Sequence, residues 1–418
     1  MPTDRIPAEH FEPTERKNNI IGTENEDHLV GTDNRDRLVG LGGPDTLNGG
    51  KGNDEMEGGQ GDDTYYVDNQ LDTVLELDGE GHDLILTTVD YSMPANVEDM
   101  TLRGLDNIDG FGNSLDNTII GNTGNNSIWG GGGRDTLLGG WGNDHLYGGN
   151  GDDTLNGGLG SDTMKGGLDN DTYYVNQNGD IVIENKDEGW DTVHSSMTYT
   201  LTDNVEALVL EGAGNIDGKG NELENVLTGN GGNNALYGYG GADTLDGGAG
   251  ADSLYGGDGD DIYYVDSTLD HVFEDANQGT DRVYSSVNQW LADNVEILQL
   301  TGNAVIGVGN GLSNTIVGND GANVIDGGAL ADNLSGGGGN DTFVFHAGEA
   351  NGDAVYDFTG NGAGAGDMLA FQGYGPGATF QHVEGTDQWV ISSADGSIHD
   401  TIHLIGNPGI DASDYTFV

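Results

Sequence analysis

Gly130–Tyr174 reads GGGGRDTLL GGWGNDHLY GGNGDDTLN GGLGSDTMK GGLDNDTYY, nonapeptides that follow one another without a gap. Position six is Asp135, Asp144, Asp153, Asp162 and Asp171. Position eight is Leu137, Leu146, Leu155, Met164 and Tyr173. The position-eight residue is apolar and flanked by non-core residues, so it reads as the inward side chain of a very short strand. The glycines supply backbone conformations closed to residues with a β-carbon, which lets the first six positions make a tight turn. The aspartate closes that turn and is expected to point its carboxylate outward. Two nonapeptides then make one coil of two strands and two turns. Residues eighteen apart stack about 4.8 Å from each other, which sets Asp135 over Asp153 and Asp144 over Asp162.

The same phase holds elsewhere. From Gly22 the chain runs GTENEDHLV, GTDNRDRLV, GLGGPDTLN, GGKGNDEME and GGQGDDTYY, with Asp27, Asp36, Asp45, Asp54 and Asp63 at position six. Here Asp27 falls over Asp45 and Asp36 over Asp54. The array containing Gly130 itself begins at Gly112, with Asn117 and Asn126 at position six. A third array from Gly220 carries Asn225 and Asn234, then Asp243, Asp252 and Asp261, with Asp243 over Asp261. A fourth from Gly309 carries Asn314 and Asn323, then Asp332 and Asp341.

Composition fits no ordinary globular domain. The 418 residues include 77 glycines and no cysteine, and the formal net charge is −60. Hydrophobic content is 34%, against roughly 45–50% for a typical soluble domain. Low hydrophobicity with high net charge is by itself the mark of a disordered chain. A nine-residue phase of aspartate and apolar residue is not. Stacked carboxylates repel, and Ca²⁺ resolves the conflict because it takes 6–8 oxygen ligands from carboxylates and backbone carbonyls. Metal binding and folding are then expected to be one event. Nucleic acid is excluded as a partner because phosphate recognition needs clustered Lys and Arg, and an anionic membrane surface is disfavoured for the same reason. A disulfide framework is ruled out. The opening MPTDRIPAEHFEPTERKNN has no apolar run of the Sec signal-peptide type. No segment approaches the apolar length of a membrane-spanning helix.

The pattern GGxGxDxUx resembles the repeats-in-toxin (RTX, haemolysin-type) calcium-binding family. The resemblance implies an all-β fold: a right-handed parallel β-roll or β-helix solenoid of nonapeptides, with calcium ions held between coils. Carried over position by position, the implied metal ligands are Asp27, Asp36, Asp45, Asp54, Asp63, Asp135, Asp144, Asp153, Asp162, Asp171, Asp243, Asp252, Asp261, Asp332 and Asp341, with carbonyls of the turn glycines. Asn117, Asn126, Asn225, Asn234, Asn314 and Asn323 depart from the pattern. Asn keeps the turn-making oxygen but not the charge, so these turns are read as free of calcium. From about Phe345 apolar and polar residues alternate, as in a half-buried antiparallel sheet. That stretch and the ending Asp414-Tyr415-Thr416-Phe417-Val418 are similar to the C-terminal region of type I secreted RTX proteins, serralysin-type proteases included. The resemblance implies export by a type I secretion apparatus, folding outside the cell, and a secreted, extracellular or surface-associated protein.

Between the arrays three segments resemble each other, beginning YYVDNQLDTVLE, YYVNQNGDIVIE and YYVDSTLDHVFE. They read as a continued solenoid of slightly longer coils, with Leu86, Val193, Leu208, Leu210, Leu298 and Leu300 filling a wider interior. The expected division is a tail 1–21, array one 22–75, a longer-coil segment 76–111, array two 112–183, a segment 184–219, array three 220–273, a segment 274–308, array four 309–344, and a C-terminal antiparallel cap and secretion region 345–418.

No catalytic constellation is legible. His399 and His403 form HDTIH on a strand-like stretch with no third ligand. Ser195-Ser196 and Ser285-Ser286 have no nucleophile-elbow context. The acid pairs Asp62-Asp63, Asp152-Asp153 and Asp260-Asp261 follow from the repeat. HExxH is absent. Of the tyrosine pairs, one ring is expected in the core, and the outward rings of Tyr66, Tyr174 and Tyr264 to pack on a neighbouring coil or to stack on sugars. The expected function is a secreted non-catalytic calcium-binding protein of adhesion, biofilm or matrix. The alternative is a carbohydrate-binding accessory module of a polysaccharide-active system, with surface glycans or matrix polysaccharide as partner.

Overall fold

A computed structural model of the protein describes residues 18–360, 364, 366–406 and 408–418. The tail expected over 1–21 lies outside the described residues as far as residue 17. Asn18–Ile21 is already strand, paired with the segment from Asp36 to Val39. All regular structure among the described residues is β-strand, and none of it is a helix long and apolar enough to cross a membrane. The chain divides into two compact units, residues 1–190 and 191–418.

In the first unit each coil contributes one strand to each of two parallel stacks. Thr136–Trp141, Thr154–Leu159 and Thr172–Val175 lie in one, with Leu137 opposite Leu155 and Leu155 opposite Tyr173. Ser127–Gly132, His145–Asn150 and Thr163–Leu168 lie in the other, with Leu146 opposite Met164. The eighteen-residue period is thus the register of the sheet. Position eight points inward without exception: Leu137, Leu146, Leu155, Met164 and Tyr173 are all 0% exposed. The core is one side chain wide on each face. A buried Leu contributes about 2–3 kcal/mol, which is less than the ordering cost of the nine residues that deliver it. Something besides apolar burial must hold the coils.

The linking segments continue the stacks, but their coils are not uniformly longer. In the first unit Tyr65 pairs with Ile85, Ile85 with Met100 and Met100 with Ile119, giving steps of 20, 15 and 19 residues. In the second unit Tyr263 pairs with Val283, Val283 with Leu298 and Leu298 with Ile316, giving steps of 20, 15 and 18. The short coil is closed by an asparagine in the left-handed region, Asn96 at φ 64° and Asn294 at φ 66°. Asparagine adopts that conformation more readily than other residues with a β-carbon. Val193, Leu208, Leu210, Leu298 and Leu300 are buried as expected. Leu86 is only half-buried, and the inward residue is its neighbour Ile85, because alternation along the strand admits only one of the two.

The C-terminal region of the second unit is only partly antiparallel. Thr379–His382, Gln388–Ser392 and His399–Leu404 form the antiparallel meander. Thr342–His346, Met368–Gln372 and the terminal Tyr415–Phe417 instead extend a parallel stack, with Phe371 opposite Phe417. The expectation of an antiparallel cap over the whole of 345–418 therefore holds for its central part. The apolar end resembling a secretion signal is docked as the last parallel strand, its Phe417 ring 5.2 Å from that of Phe371.

Candidate metal centre

The position-six carboxylates form ladders. One oxygen of each reaches back to the coil before it. Asp27 N donates to Asp45 Oδ1 at 2.8 Å, Asp36 N to Asp54 Oδ1 at 2.8 Å, Asp135 N to Asp153 Oδ1 at 2.8 Å, Asp144 N to Asp162 Oδ1 at 2.8 Å and Asp243 N to Asp261 Oδ1 at 2.7 Å. These are the pairs the repeat set over one another. The carboxylates do not point outward: Asp135, Asp144 and Asp162 are 0% exposed. The reason is that a buried backbone N–H at position six needs an acceptor, and the aspartate of the next coil supplies it.

The second oxygen divides the turns into two classes. In the first class position two is Thr or Asn, and its N–H closes the turn onto the residue-six side chain. Thr23 N donates to Asp27 Oδ2 at 2.6 Å, and Thr32 does the same for Asp36. Asn113 N donates to Asn117 Oδ1 at 2.8 Å and Asn221 N to Asn225 Oδ1 at 2.7 Å. The asparagines also donate from Nδ2 to carbonyls of the preceding coil, as Asn126 does to Ile108 O at 2.7 Å. In the second class, the turns of Asp45, Asp54, Asp63, Asp135, Asp144, Asp153, Asp162, Asp171, Asp243, Asp252, Asp261, Asp332 and Asp341, position two lies at φ between 71° and 125°. Its N–H then turns away, as Gly158 N does to Asn156 Oδ1 at 3.0 Å and Gly248 N to Asp246 Oδ1 at 2.9 Å. The carboxylate loses its local donor. Oδ2 of Asp45, Asp54, Asp63, Asp135, Asp144, Asp153, Asp162, Asp243, Asp252, Asp261 and Asp332 is buried with no hydrogen-bond partner.

This conformation explains the glycine at position two. Gly158 has φ 90°, and a β-carbon there would meet Gly140 O at 2.2 Å. Gly158→Ala is expected to destabilise the metal-bound array by at least about 1–3 kcal/mol, the scale of a forced backbone conformation. Gly231→Ala, where a β-carbon meets nothing within 4 Å, is expected to stay within about 0.5 kcal/mol of the parent. Thermal melts in saturating calcium compare the two.

The two classes differ in proton affinity. Burial pushes Asp63, Asp135, Asp144, Asp243, Asp261 and Asp332 up to about 7, only partly offset by the backbone N–H each accepts. Burial also raises Asp36, but the Thr32 backbone and hydroxyl and the Asn18 amide outweigh it and hold the carboxyl below the usual value. A row of buried carboxylate oxygens without donors is costly unless a cation fills it. The neighbouring donors are oxygens too. A β-carbon at Gly148 would lie 2.1 Å from Asp153 Oδ2 and 2.7 Å from Gly166 O, and one at Gly238 2.1 Å from Asp243 Oδ2 and 2.6 Å from Gly256 O. Carboxylate and carbonyl oxygens crowded together suit a hard cation such as Ca²⁺.

The ladder runs past the aspartates taken as metal ligands. Asp72 Oδ1 accepts Asp54 N at 2.9 Å, Asp353 Oδ1 accepts Asp332 N at 3.0 Å and Asp367 Oδ1 accepts Asp341 N at 2.9 Å. Sequence reasoning also passed over Glu76 and Glu274, whose carboxyls burial pushes up to about 9. Their signal was the Glu that ends all three YYV segments. The other groups weighed for chemistry have structural partners. Ser195 and Ser285 donate to Met197 O and Val287 O, each at 2.9 Å. His399 bonds Ser392 at 2.8 Å and His403 faces Asp387 at 3.2 Å, so the two rings serve separate contacts. In the pair Asp152-Asp153 the first carboxylate is held at the surface by Arg134 at 2.7 Å and the second lies in the ladder. Tyr65, Tyr173 and Tyr263 are 0% exposed. Of the outward rings, Tyr264 stacks on Tyr284 at 5.4 Å and Arg103 covers Tyr66 at 5.6 Å.

The RTX calcium-binding nonapeptide repeat (4 copies) matches residues 30–65, 111–146, 138–173, 147–182, 220–254, 238–268 and 308–343. These repeats and the parallel solenoid fit an RTX-type calcium-binding protein. A comparison with curated protein sequences gave no match. Among solved structures, the extracellular lipase LipA from Serratia marcescens is 14% identical, over 80% of this chain and 45% of that chain, with a TM-score of 0.13. The chain thus spans less than half of that lipase, and likeness at this level carries no argument about fold or activity.

Proposed function

We propose that the protein is secreted, non-catalytic and folded outside the cell by calcium, and that it serves at a bacterial surface, in adhesion, biofilm or matrix. The observation that carries the calcium reading is the set of buried, donorless Oδ2 atoms found where position two has positive φ. Calcium supplies the positive charge and oxygen coordination those rows require. The chain's residues do the rest. Oδ1 of each aspartate ties two coils together, glycine turns bring carbonyls beside Oδ2, and position eight fills the interior. Export by a type I apparatus is supported by the C-terminal resemblance, and the absence of catalysis by the structural partners of the serines and histidines. The glycan-binding alternative is less well supported at Tyr66, whose ring Arg103 covers, than at Tyr264, which stacks on Tyr284 and stays 44% exposed.

In this reading Asp27 and Asp36 hold no ion, since their own turns satisfy Oδ2. Isothermal titration of the full chain with Ca²⁺ tests the assignment. Asp135→Asn with Asp153→Asn is expected to lower the number of ions bound and to weaken the array's calcium midpoint tenfold or more. Asp27→Asn with Asp36→Asn is expected to leave the ion count unchanged. Equal losses from both double variants would reject the division of the turns, and no calcium uptake by the parent chain would reject the function.

A further inference from the structure

Where the first and third arrays end, position eight is a tyrosine, Tyr65 and Tyr263, and the coil lengthens. Tyr65 pairs with Ile85, a step of 20 residues instead of eighteen. The lengthened coil brings Glu76, just after the strand Thr73–Leu75, against Asp63 and Asp83, which precede the strands Thr64–Val67 and Leu84–Thr87. One carboxylate oxygen from each of the three lies within 4.8 Å of the others. Asp63 is 1% exposed, Glu76 3% and Asp83 1%. Their remaining oxygens are spoken for by neutral donors: Asp45 N on Asp63 Oδ1 at 2.6 Å, Asp63 N on Asp83 Oδ1 at 2.8 Å, and the Tyr65 hydroxyl on Glu76. The Tyr65 hydroxyl itself accepts from Gly58 N at 2.7 Å. Asp63 Oδ2, Glu76 Oε2 and Asp83 Oδ2 are buried with no hydrogen-bond partner. The second unit repeats the arrangement, with Asp261, Glu274 and Asp281 within the same 4.8 Å and the Tyr263 hydroxyl on Glu274.

We propose that Asp63, Glu76 and Asp83, and likewise Asp261, Glu274 and Asp281, form a second kind of calcium site, built from three carboxylates at the seam between an array and its linking coil. It rests on the calcium reading above but differs from the glycine-turn rows in its ligands. A glutamate and an aspartate from outside the nonapeptide pattern complete it. Three carboxylates presented together, buried around Glu76 and half-buried at Glu274, select a hard, oxygen-seeking cation. Mg²⁺ sheds its water reluctantly and is a poor occupant of such a site, whereas Ca²⁺ accepts an all-protein oxygen shell. The ion joins three successive segments of chain, so it fixes the change of coil length at which the array hands over to the linker. The Tyr65 hydroxyl holds Glu76 in place by hydrogen bonding, which accounts for a tyrosine where the position-eight residue is otherwise aliphatic in this array.

The test is native mass spectrometry of the calcium-loaded full chain, comparing the parent with Glu76→Gln/Glu274→Gln. Glutamine keeps the shape and the hydrogen bond to tyrosine while removing the charge. The expected result is two fewer calcium ions, with the array ions retained. Asp83→Asn/Asp281→Asn, made separately, is expected to give the same loss. Terbium in place of calcium supplies a second readout, because the Tyr65 and Tyr263 rings beside the sites sensitise its luminescence. Both the glutamine pair and Tyr65→Phe/Tyr263→Phe are expected to diminish that emission. An unchanged ion count together with unchanged terbium emission in the glutamine pair would overturn the proposal, leaving the carboxyls as shared-proton pairs. If the parent takes up no calcium at all, the calcium reading fails first and this site with it.

Discussion

In excess chelator at neutral pH the chain is expected to lose most of its β-sheet circular dichroism, and to regain it cooperatively as calcium is restored. The expectation follows from what calcium-free coils would have to tolerate. The arrays bury columns of carboxylates, many with an Oδ2 that lacks a donor, on a chain of net charge −60. The opposing term is a stripe of one apolar side chain per strand. A site that binds only the folded state adds RT ln(1 + [L]/Kd), about 2.7 kcal/mol at a hundred times Kd, and the second-class turns recur through every array. Cooperativity has a structural origin in the ladder. The bond from Asp135 N to Asp153 Oδ1 belongs to two coils at once, so ordering one turn orders the next. The linking coils bury two apolar side chains per strand, Met100 with Leu102 and Leu298 with Leu300, and are expected to account for whatever signal survives the chelator. Circular dichroism during a calcium titration, with native-state hydrogen exchange to locate the residual structure, measures both. A spectrum unchanged in chelator would dissolve the coupling of metal to fold.

The period was legible because it is written twice, in the aspartate and in the apolar residue two places on. Eighteen-residue stacking, the inward position eight and the Asp135–Asp153 and Asp144–Asp162 pairs all follow from that. The division of the turns was harder to see. Asp27 and Asp45 occupy the same position in the repeat, and what separates them is the backbone at position two. Glycine at that position is a usable sign of the metal-ready turn, but Leu41 at φ 87° and Tyr239 at φ 81° adopt it without glycine. Residue type alone therefore misassigns them. The linking coils were misjudged for a different reason. Their lengths go with an Asn turn and a glutamate that recur once per segment, outside the nine-residue phase. Glu76 ends a stretch read as continued solenoid, and only the fold brings it beside Asp63 and Asp83.

Acidification is expected to mimic calcium weakly and to compete with it strongly. Asp63, Asp135, Asp144, Asp243, Asp261 and Asp332 are pushed by burial to about 7 in the folded, metal-free chain, against about 3.9 when unfolded. The folded state therefore binds more protons between those values, and its stability falls as pH rises through that window. The contribution is fully present below about pH 4 and gone above about pH 7, so chelated chain should gain β structure as pH is lowered from 8 to 5. Calcium must displace the same protons. Its apparent affinity for the arrays should drop about tenfold per pH unit below 7 for each proton released. Asp36, whose carboxyl is held below the usual value by Thr32 and Asn18, takes no part in this window. Titrations at pH 8 and pH 5.5, in buffers of different ionisation enthalpy, count the protons that leave as calcium binds. Equal calcium midpoints at the two pH values, with no proton released, would mean that the ladder carboxylates ionise freely in the folded chain and that its turns hold no buried charge for calcium to neutralise.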